Sequence, residues 1–361
     1  MANTNFYGSK LEQNLTGPVS VAWRSPSNIA LVKYWGKTGI QLPLNPSLSM
    51  TLSEASSETK LTAGPRESEG EISLDFCFDG NKNNAFGERI ITFLQSVLDI
   101  YPWLVQVELK LETRNTFPHS AGIASSASAF SALAFCLCTL ENDLFGIILT
   151  ETEFRFKVSY VARLGSGSAC RSIFPGFSLW GFTPALPGSS DFVAIPVTNV
   201  HPEFLSLHDA IILVNKTQKP VSSSEGHRRM QHHPFIHARI AQANNHISDL
   251  VQAMAVGDKD TFIRIVENEA LTLHALMMTS DESYMLLQSE TIDIINQVRN
   301  TRTEYGLHVC FTLDAGPNVH ILYFDDESEQ VEKLIVEDIL NKNKQHSVIY
   351  DFCGAGPFKI G

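Results

Sequence analysis

Serine and glycine residues near the middle of the chain have the types and spacing that suit a phosphate-binding loop. The segment reads Pro118-His-Ser-Ala-Gly-Ile-Ala-Ser-Ser-Ala127 and leads into apolar residues at helical spacing. Backbone N–H groups near Gly122 can approach an anion closely, and the helix start adds free donors and the positive end of its dipole. We expect Ser125 and Ser126 to cap that helix, and their hydroxyls, with that of Ser128, can donate to phosphate oxygens or ligate magnesium.

This segment matches neither the Walker A motif nor the dinucleotide-binding glycine motif. Composition alone leaves open a loop that leads into a core helix and binds no ligand.

Two further segments carry side chains suited to an anionic ligand. The segment Ser27-Asn-Ile-Ala-Leu-Val-Lys-Tyr-Trp-Gly-Lys37 places Lys33 and Lys37 around an aromatic pair. These lysines can grip a polyanion, although surface lysines around packed aromatic residues are the alternative. The segment Gly165-Ser-Gly-Ser-Ala-Cys-Arg-Ser172 combines a flexible backbone with hydroxyls and Arg171. A plain Gly/Ser linker would not need this arginine, so we favour a phosphate or carboxylate site.

An acidic residue and a histidine-rich segment are the remaining candidates. Asp314 precedes Gly316 and Pro317 between two predicted strands, so it is either a turn residue that bonds its own backbone or a catalytic carboxylate held by the sheet. Histidines at positions 227, 232, 233 and 237 surround Pro234, which would interrupt a helical metal-binding face. We therefore expect solvated histidines on a loop and a helix start. The turn at residues 354–357 receives no role.

The bulk properties describe an ordinary globular protein. With 361 residues the chain is long enough for two domains, and 43% of the residues are hydrophobic and 18% charged. The formal net charge of −12 argues against nucleic-acid binding. The start of the chain lacks a basic segment followed by an apolar one, which predicts a cytoplasmic protein without membrane contact. The six cysteines are scattered and are expected to be reduced core residues.

Strands and helices alternate in a way that predicts an α+β fold rather than a doubly wound sheet. A polar extension at residues 1–17 precedes a domain at 18–204 and a second at 205–361. Helical periods are expected at 84–100, after residue 126, from a Thr150/Glu153 capping box to about 163, and at 236–255, 260–278, 282–303 and 327–340. Strands are expected at 19–23, 45–52, 72–78, 105–112, 177–180, 192–196, 210–214, 307–313, 320–324 and 347–352.

Four segments, 27–37, 117–127, 165–172 and 311–318, resemble the diphosphomevalonate decarboxylases of the GHMP kinase superfamily, in the same order along the chain. The resemblance implies a ribosomal protein S5 domain 2-like N-terminal domain, a ferredoxin-like C-terminal domain and an active site in the cleft between them. It implies phosphorylation of the 3-hydroxyl of mevalonate 5-diphosphate by ATP, with Mg2+, followed by loss of phosphate and CO2 to give isopentenyl diphosphate in the mevalonate pathway of isoprenoid biosynthesis. The expected partners are this small-molecule substrate and a second copy of the chain in a homodimer, with no nucleic acid.

The resemblance also assigns residue roles. It implies Asp314, Lys33 and Arg171 as catalytic residues, since a carboxylate can orient a tertiary hydroxyl or accept its proton and a lysine can steady the transferring phosphoryl group. Substrate-binding residues would be Asn28, Tyr34, Lys37, Ser166, Gly167, Ser168 and Arg171. ATP-binding residues would be Pro118, Ser120, Ala121, Gly122, Ile123, Ala124, Ser125 and Ser126, with Ser125 and Ser126 also holding the metal.

Several positions depart from the family pattern. His119-Ser120 stands where the family often has Thr-Ala, Pro46 where it often has Ser, and Thr38-Gly39 where a charged pair is common. These differences leave open a substrate with one phosphate, which would make the chain a phosphomevalonate decarboxylase, or a 3-kinase that does not decarboxylate. A catalytically silent binding protein is disfavoured because none of the reactive residues is missing.

Overall fold

The computed structural model describes residues 6–118, 123–214, 223–343 and 345–360. Within these ranges the strands are β1 Val19–Ala30, β2 Lys37–Thr38, β3 Leu42–Pro43, β4 Ser47–Gly64, β5 Ser73–Phe78, β6 Asn81–Lys82, β7 Glu108–Asn115, β8 Phe177–Trp180, β9 Ala194–Val197, β10 His208–Leu213, β11 Cys310–Thr312, β12 Val319–Tyr323, β13 Ser347–Phe352 and β14 Phe358–Lys359.

The helices of the same ranges are α1 Asn84–Ser96, α2 Ser125–Phe145, α3 Glu151–Gly165, α4 Pro202–Leu205, α5 Ser223–Arg229, α6 Ile236–Val256, α7 Lys259–Met278, α8 Ser289–Tyr305 and α9 Ser328–Leu334. A π-helical turn, Ile335–Leu340, continues α9. Short 3-10 helices occur at Pro102–Gln106, Gly167–Ile173, Met230–His232 and Asp325–Glu327.

Strands β1 and β4 form the centre of the first sheet, which has the order β14-β1-β4-β7-β5-β6, with β8 also pairing β4 and β9 pairing β8. The β1–β4 pairing is antiparallel, and its register shifts between Pro26 and Asn28. Such an irregularity bends a strand and redirects its side chains. In this protein the register shift lies next to Asn28, which lines the cavity described below.

Helix α2 packs on β1 and β4 and is buried from Ala127 to Glu141. Small residues along α2 let the helix approach the sheet closely, and large ones such as Leu133 and Phe135 fill the core. The indole N–H of Trp23 donates to Thr139 Oγ1 at 3.0 Å, which satisfies a partly buried polar pair at this contact. Close packing along α2 fixes the position of its N-terminal end.

The second half of the chain forms a sheet of order β11-β12-β10-β13, on which α7 and α8 pack. The chain then returns to the first sheet, where β14 pairs antiparallel with β1. The turn at residues 354–357 makes this return: Gly354 N–H donates to Thr51 O at 2.8 Å, and Gly176 N–H donates to Gly354 O at 2.9 Å. The last residues therefore join the two halves.

The α+β class is confirmed, and most predicted elements are present with altered bounds. The helix predicted at 282–303 begins only at Ser289, and the strand predicted at 307–313 is reduced to Cys310–Thr312. The helix predicted at 327–340 ends as a π-helical turn. All six cysteines are free, and four of them are buried, as predicted.

The start of α2 differs from the sequence expectation. Ser125 and Ser126 were predicted to cap this helix, but the cap is Ala124, which has a left-handed backbone with φ 38° and makes no side-chain cap bond. The two serines are the first helical residues, so their hydroxyls are not committed to capping. The Thr150/Glu153 capping box of α3 is confirmed, with both of its hydrogen bonds present.

Candidate active site

A cavity of about 710 Å³ is lined by residues from both halves of the chain. Three of the four segments singled out in the sequence reach it directly, through Lys33, Arg171 and Asp314. The fourth reaches it through Ser125 and Ser126 at the start of α2. We call Asn28, Lys33, Arg171, His227 and Asp314 the polar end of this cavity.

Lys33 and Asp314 form an ion pair in the polar end, with Nζ 3.1 Å from Oδ1. The lysine side chain is 2% exposed, whereas that of Asp314 is 29% exposed. Burial lowers the pKa of Lys33, and the nearby carboxylate of Asp314 opposes that shift. Gly316 N–H donates to the backbone carbonyl of Asp314 at 2.7 Å, so Asp314 lies in a turn. Its carboxylate forms the ion pair with Lys33. The structure thus places Asp314 in a turn and its carboxylate beside Lys33, and the catalytic role of this carboxylate stays a prediction.

The backbone of Lys33 is held by two helices of the second half. Glu269 on α7 accepts from Lys33 N–H at 2.8 Å, and Arg239 on α6 donates to Lys33 O at 2.9 Å. Arg239 also binds Glu269 at 2.6 and 2.7 Å, and His246 Nδ1 lies 2.6 Å from the same carboxylate. Burial alone would raise the pKa of Glu269, but the bonds from His246 and Arg239 lower it to about 2. A stably ionised Glu269 therefore fixes the main chain that carries Lys33.

Arg171 and Asn28 are in contact with each other in the polar end. Arg171 is 3% exposed, and its guanidinium contacts Ser47 Oγ and, at 3.4 Å, Asn28 Oδ1. The Asn28 amide donates to Ser168 O at 3.1 Å and to Ser172 Oγ at 2.8 Å. Burial lowers the pKa of Arg171, because its charged form loses hydration, and the charge of Asp314 opposes that shift. An anionic ligand would complete its environment.

Tyr34 lies against the glycine segment of residues 165–172. A Cβ at Gly167 would lie 2.9 Å from Tyr34 Oη and 2.8 Å from the Trp180 ring. Gly167 is thus needed for close approach, whereas its φ is outside the left-handed region and would itself accept other residues. Tyr34 Oη is buried and has no hydrogen-bond partner among the described residues, and burial raises its pKa. The phenol is therefore a neutral donor beside the cavity.

His227 was missed as a cavity residue, and its predicted exposure is wrong. It is 8% exposed, lines the cavity and accepts from Gly36 N–H through Nδ1 at 2.9 Å. His233 is also buried, at 3% exposed, whereas His232 and His237 are exposed as expected. Burial is the main cause that lowers the pKa of His227 to about 3, and Lys37 adds to the shift. No local sequence signal marked this ring, because its partners Tyr34, Trp35 and Gly36 lie about 190 positions earlier in the chain.

The start of α2 supplies hydroxyls to the cavity. Ser125 and Ser126 are half-buried, and Ser126 Oγ lies 3.4 Å from Ser166 Oγ. Ala124 lines the same wall, whereas Ile123 is 2% exposed in the core, where its carbonyl accepts from Ser27 Oγ at 2.9 Å. Pro118 is exposed and does not line the cavity. Three other predicted ATP-binding residues, Ser120, Ala121 and Gly122, lie outside the described residues.

A further part of the cavity wall is mostly apolar, with Arg89, Thr113 and Asn115 beside it. We call this part the apolar lobe; its residues come from three strands or helices beside α2 and from α2 itself, and they are Phe76, Phe78, Phe86, Ile90, Leu111, Phe130 and Leu133. Their periodicity in the sequence matches that of core residues, so nothing separated them from the core before the structure placed them. A planar aromatic ligand would bury its faces here.

Two family models match the chain. One is described as the diphosphomevalonate decarboxylase-like N-terminal domain and matches residues 25–190; the other, the mevalonate 5-diphosphate decarboxylase C-terminal domain, matches residues 210–355. The diphosphomevalonate decarboxylase of Ganoderma lucidum is 30% identical over 335 residues, which cover 87% of this chain and 80% of that protein.

Solved structures of mevalonate diphosphate decarboxylases are also similar to this chain. The mevalonate diphosphate decarboxylase from Staphylococcus aureus is similar with a TM-score of 0.81 and 29% identity, covering 95% of this chain and 98% of that one. A complex of MDDEF with MVAPP, AMPPCP and magnesium has a TM-score of 0.79 and 30% identity, covering 95% of this chain and 99% of that one. The similarity therefore extends over both sheets and the cavity between them.

Proposed function

The chain belongs to the diphosphomevalonate decarboxylase family, and from this premise we infer that it converts mevalonate 5-diphosphate to isopentenyl diphosphate with consumption of ATP. The products are ADP, phosphate and CO2. A lyase of this kind needs a group that handles the proton of a hydroxyl, cations for the anionic substrate and a site for the nucleotide. The cavity offers residues for each of these needs.

We assign removal of the proton from the 3-hydroxyl to Asp314. Its carboxylate is partly exposed to the cavity and is held by Lys33, so it can orient the hydroxyl and accept its proton as the oxygen attacks the γ-phosphorus of ATP. The 3-hydroxyl is then a phosphate ester, and phosphate is a better leaving group at C3 than hydroxide. As phosphate departs, the electron pair of the bond to the carboxylate forms the double bond, and CO2 is released.

Lys33 contributes charge at the point of phosphoryl transfer. Its ammonium group lies 3.1 Å from the Asp314 carboxylate, which places the cation close to the transferring group. Because Glu269 and Arg239 hold its backbone on both sides, Lys33 is pre-organised before the substrate arrives. Little reorganisation is then required during the reaction.

The anionic groups of the substrate are assigned to the remaining polar residues. Arg171 can bind a carboxylate or a phosphate in bidentate fashion, with Asn28 orienting its guanidinium. Lys37 and Tyr34 line the same wall, and Ser166, Gly167 and Ser168 border it. Two phosphates and one carboxylate would compensate the positive charges of Arg171 and Lys37.

The nucleotide is assigned to the start of α2 and to the apolar lobe. Phosphate groups would face the start of α2, where the helix N-terminus and the hydroxyls of Ser125 and Ser126 lie together, and the base would enter the apolar lobe. Mg2+ prefers oxygen ligands and usually keeps only one or two protein ligands beside the phosphates, so these hydroxyls fit the ion. When bound, Mg2+ neutralises phosphate charge and orients the γ-phosphate. The carry-over of the roles of Pro118, Ser120, Ala121, Gly122, Ile123 and Ala124 stays a proposal.

One observation carries the functional proposal: Asp314 and Lys33, 281 positions apart in the chain, form an ion pair in a cavity that also contains Arg171 and the start of α2. A catalytically silent binding protein would have no need to keep this combination.

The experiment that tests the proposal compares two substrates. Purified protein is incubated with Mg-ATP and either mevalonate 5-diphosphate or mevalonate 5-phosphate, and ADP and CO2 are quantified. We expect ADP and CO2 in equal amounts with the diphosphate. ADP without CO2 would identify a 3-kinase, and turnover restricted to the monophosphate would identify a phosphomevalonate decarboxylase; either result would overturn the proposal.

Further properties belong to the same proposal. We propose the division into an extension at residues 1–17, a domain at 18–204 and a second domain at 205–361, together with a homodimer and a cytoplasmic location. Among the described residues, the structure contains no helix whose length and apolar character would allow it to cross a bilayer.

A further inference from the structure

The histidine-rich segment at residues 225–233 is docked tightly against the turn that follows Lys33. A Cβ at Gly226 would lie 2.4 Å from the ring of Trp35, so only glycine allows this approach. Arg229 forms ion pairs with Glu225 at 3.0 Å and with Glu282 at 2.9 Å, which hold the other side of the segment. These contacts fix the position of the side chain between them, that of His227.

The ring of His227 has a defined orientation and protonation pattern. Its centroid lies 4.3 Å from that of Tyr34 and 4.7 Å from that of Trp35. Nδ1 accepts from Gly36 N–H at 2.9 Å, so in the neutral ring the proton is on Nε2. The main chain thus uses one ring nitrogen and leaves a donor on the other.

The electrostatic surroundings keep this ring neutral. His227 is almost fully buried, and the charges of Lys37 and Arg171 act on it from the same cavity. A protonated His227 would be repelled by these two cations and would lose its hydration. A neutral N–H group can still bind an anionic oxygen without that cost.

We propose that His227 is a substrate-binding residue whose Nε2–H donates a hydrogen bond to a phosphate oxygen of the substrate beside Lys37. This assignment rests on the proposed function, since it takes mevalonate 5-diphosphate as the ligand. It gives a role to a residue that the sequence left as a solvated histidine. The anionic end of the substrate would then be held by two cations and by neutral donors from Tyr34 and His227.

The test uses three variants of the full chain. His227→Phe keeps an aromatic ring between Tyr34 and Trp35 but removes the N–H group, whereas His227→Gln keeps an amide N–H near the position of Nε2. His232→Phe changes an exposed histidine of the same segment and serves as the control. The dissociation constant of mevalonate 5-diphosphate is measured by calorimetry in the absence of ATP, and KM is measured for both substrates.

We expect His227→Phe to weaken binding of mevalonate 5-diphosphate by about tenfold or more, the usual effect of losing a hydrogen bond to a charged group. KM for ATP should stay within about twofold of the wild-type value, His227→Gln should recover part of the lost affinity, and His232→Phe should bind normally. Unchanged affinity in His227→Phe would overturn the proposal. So would a loss shared equally by both substrates and not recovered by His227→Gln, because that pattern indicates a packing role.

Failure of the wider functional proposal would look different. Wild-type protein that binds mevalonate 5-diphosphate but releases no CO2 would contradict the assigned reaction, while the calorimetric comparison of the variants would still decide the role of His227.

Discussion

The two ends of the cavity are built in different ways. In the polar end, Lys33 and Arg171 are buried cations, and each is held by several specific hydrogen bonds. In the apolar lobe, side chains such as Ile90 and Leu133 offer only area and shape. A single substitution in the polar end should therefore have a large and selective effect, whereas the apolar lobe should distribute its contribution over many residues.

The two ends of the cavity also differ in how sensitive they should be to the position of their side chains. Groups of the polar end face the atoms that react or carry charge, so their contribution depends on position to within a fraction of an ångström. The hydrophobic contribution of the apolar lobe scales with buried area and tolerates small changes in shape. The predictions below test the comparison from its strongest expected effect to its weakest.

The strongest effect should come from Asp314→Asn, which preserves size and removes the charge that accepts a proton. We expect kcat to fall by about 10³-fold, the usual contribution of a positioned general base, while ATP and substrate still bind. Steady-state kinetics and calorimetry measure the two properties separately. Asp293→Asn, on the exposed face of α8, is the matched control and should retain full activity. Full turnover by Asp314→Asn would remove the assigned role.

Arg171→Ala should act mainly on substrate binding. Removal of one partner from a buried charged contact costs about 2–3 kcal/mol, so we expect the dissociation constant of mevalonate 5-diphosphate to rise about 100-fold. KM for ATP should change little, because Arg171 belongs to the polar end. Arg264→Ala, an exposed arginine of α7, serves as the control. Unchanged substrate affinity would show that Arg171 has only a structural role.

The polar end also shows which features the sequence alone predicts. The alternation of strands and helices predicts the α+β class, and local rules predict the Thr150 capping box, because both depend on neighbouring residues. For Asp314, local rules left a turn and a catalytic carboxylate open and favoured the turn, and only the resemblance pointed to the catalytic carboxylate. The structure explains this ambiguity, since the backbone of Asp314 forms the turn and its carboxylate pairs with Lys33.

Other features could not be predicted because they depend on distant contacts. Glu269 lies 236 positions from Lys33 and resembles any charged residue of an amphipathic helix. His227 looks like a solvated residue beside Arg228, until Gly36 and Trp35 are placed around it. The left-handed cap at Ala124 was missed because alanine has no capping side chain.

The neutral histidine of the polar end predicts a pH dependence of stability. Burial, with smaller contributions from the charges of Lys37 and Arg171, lowers the pKa of His227 to about 3. The adjacent Tyr34 ring is neutral. A histidine in the unfolded chain has a pKa of about 6.5. Below pH 6.5 the unfolded state therefore binds a proton that the folded state does not, so stability falls as the pH falls through the range from 6.5 to 3.

Between pH 7 and pH 5 this one residue should remove about 2 kcal/mol from the free energy of unfolding. Urea unfolding at the two pH values should therefore show a wild-type loss that exceeds that of His227→Phe by this amount. His232→Phe should lose as much as the wild type, because His232 is exposed. Equal losses in wild type and His227→Phe would show that the ring is protonated in the folded protein.

The weakest effect should come from the apolar lobe, where Ile90→Ala trims one of several side chains around the expected base. The lost contact area is worth about 1 kcal/mol, so KM for ATP should rise about fivefold, with KM for mevalonate 5-diphosphate unchanged. Ile91→Ala is a close control, because Ile91 is also half-buried on α1 but does not line the cavity. A rise in both KM values for Ile90→Ala, or equal effects of the two variants on ATP, would mean that the apolar lobe does not receive the nucleotide. The proposed division of the cavity, with the substrate in the polar end and the base of ATP in the apolar lobe, would then be wrong.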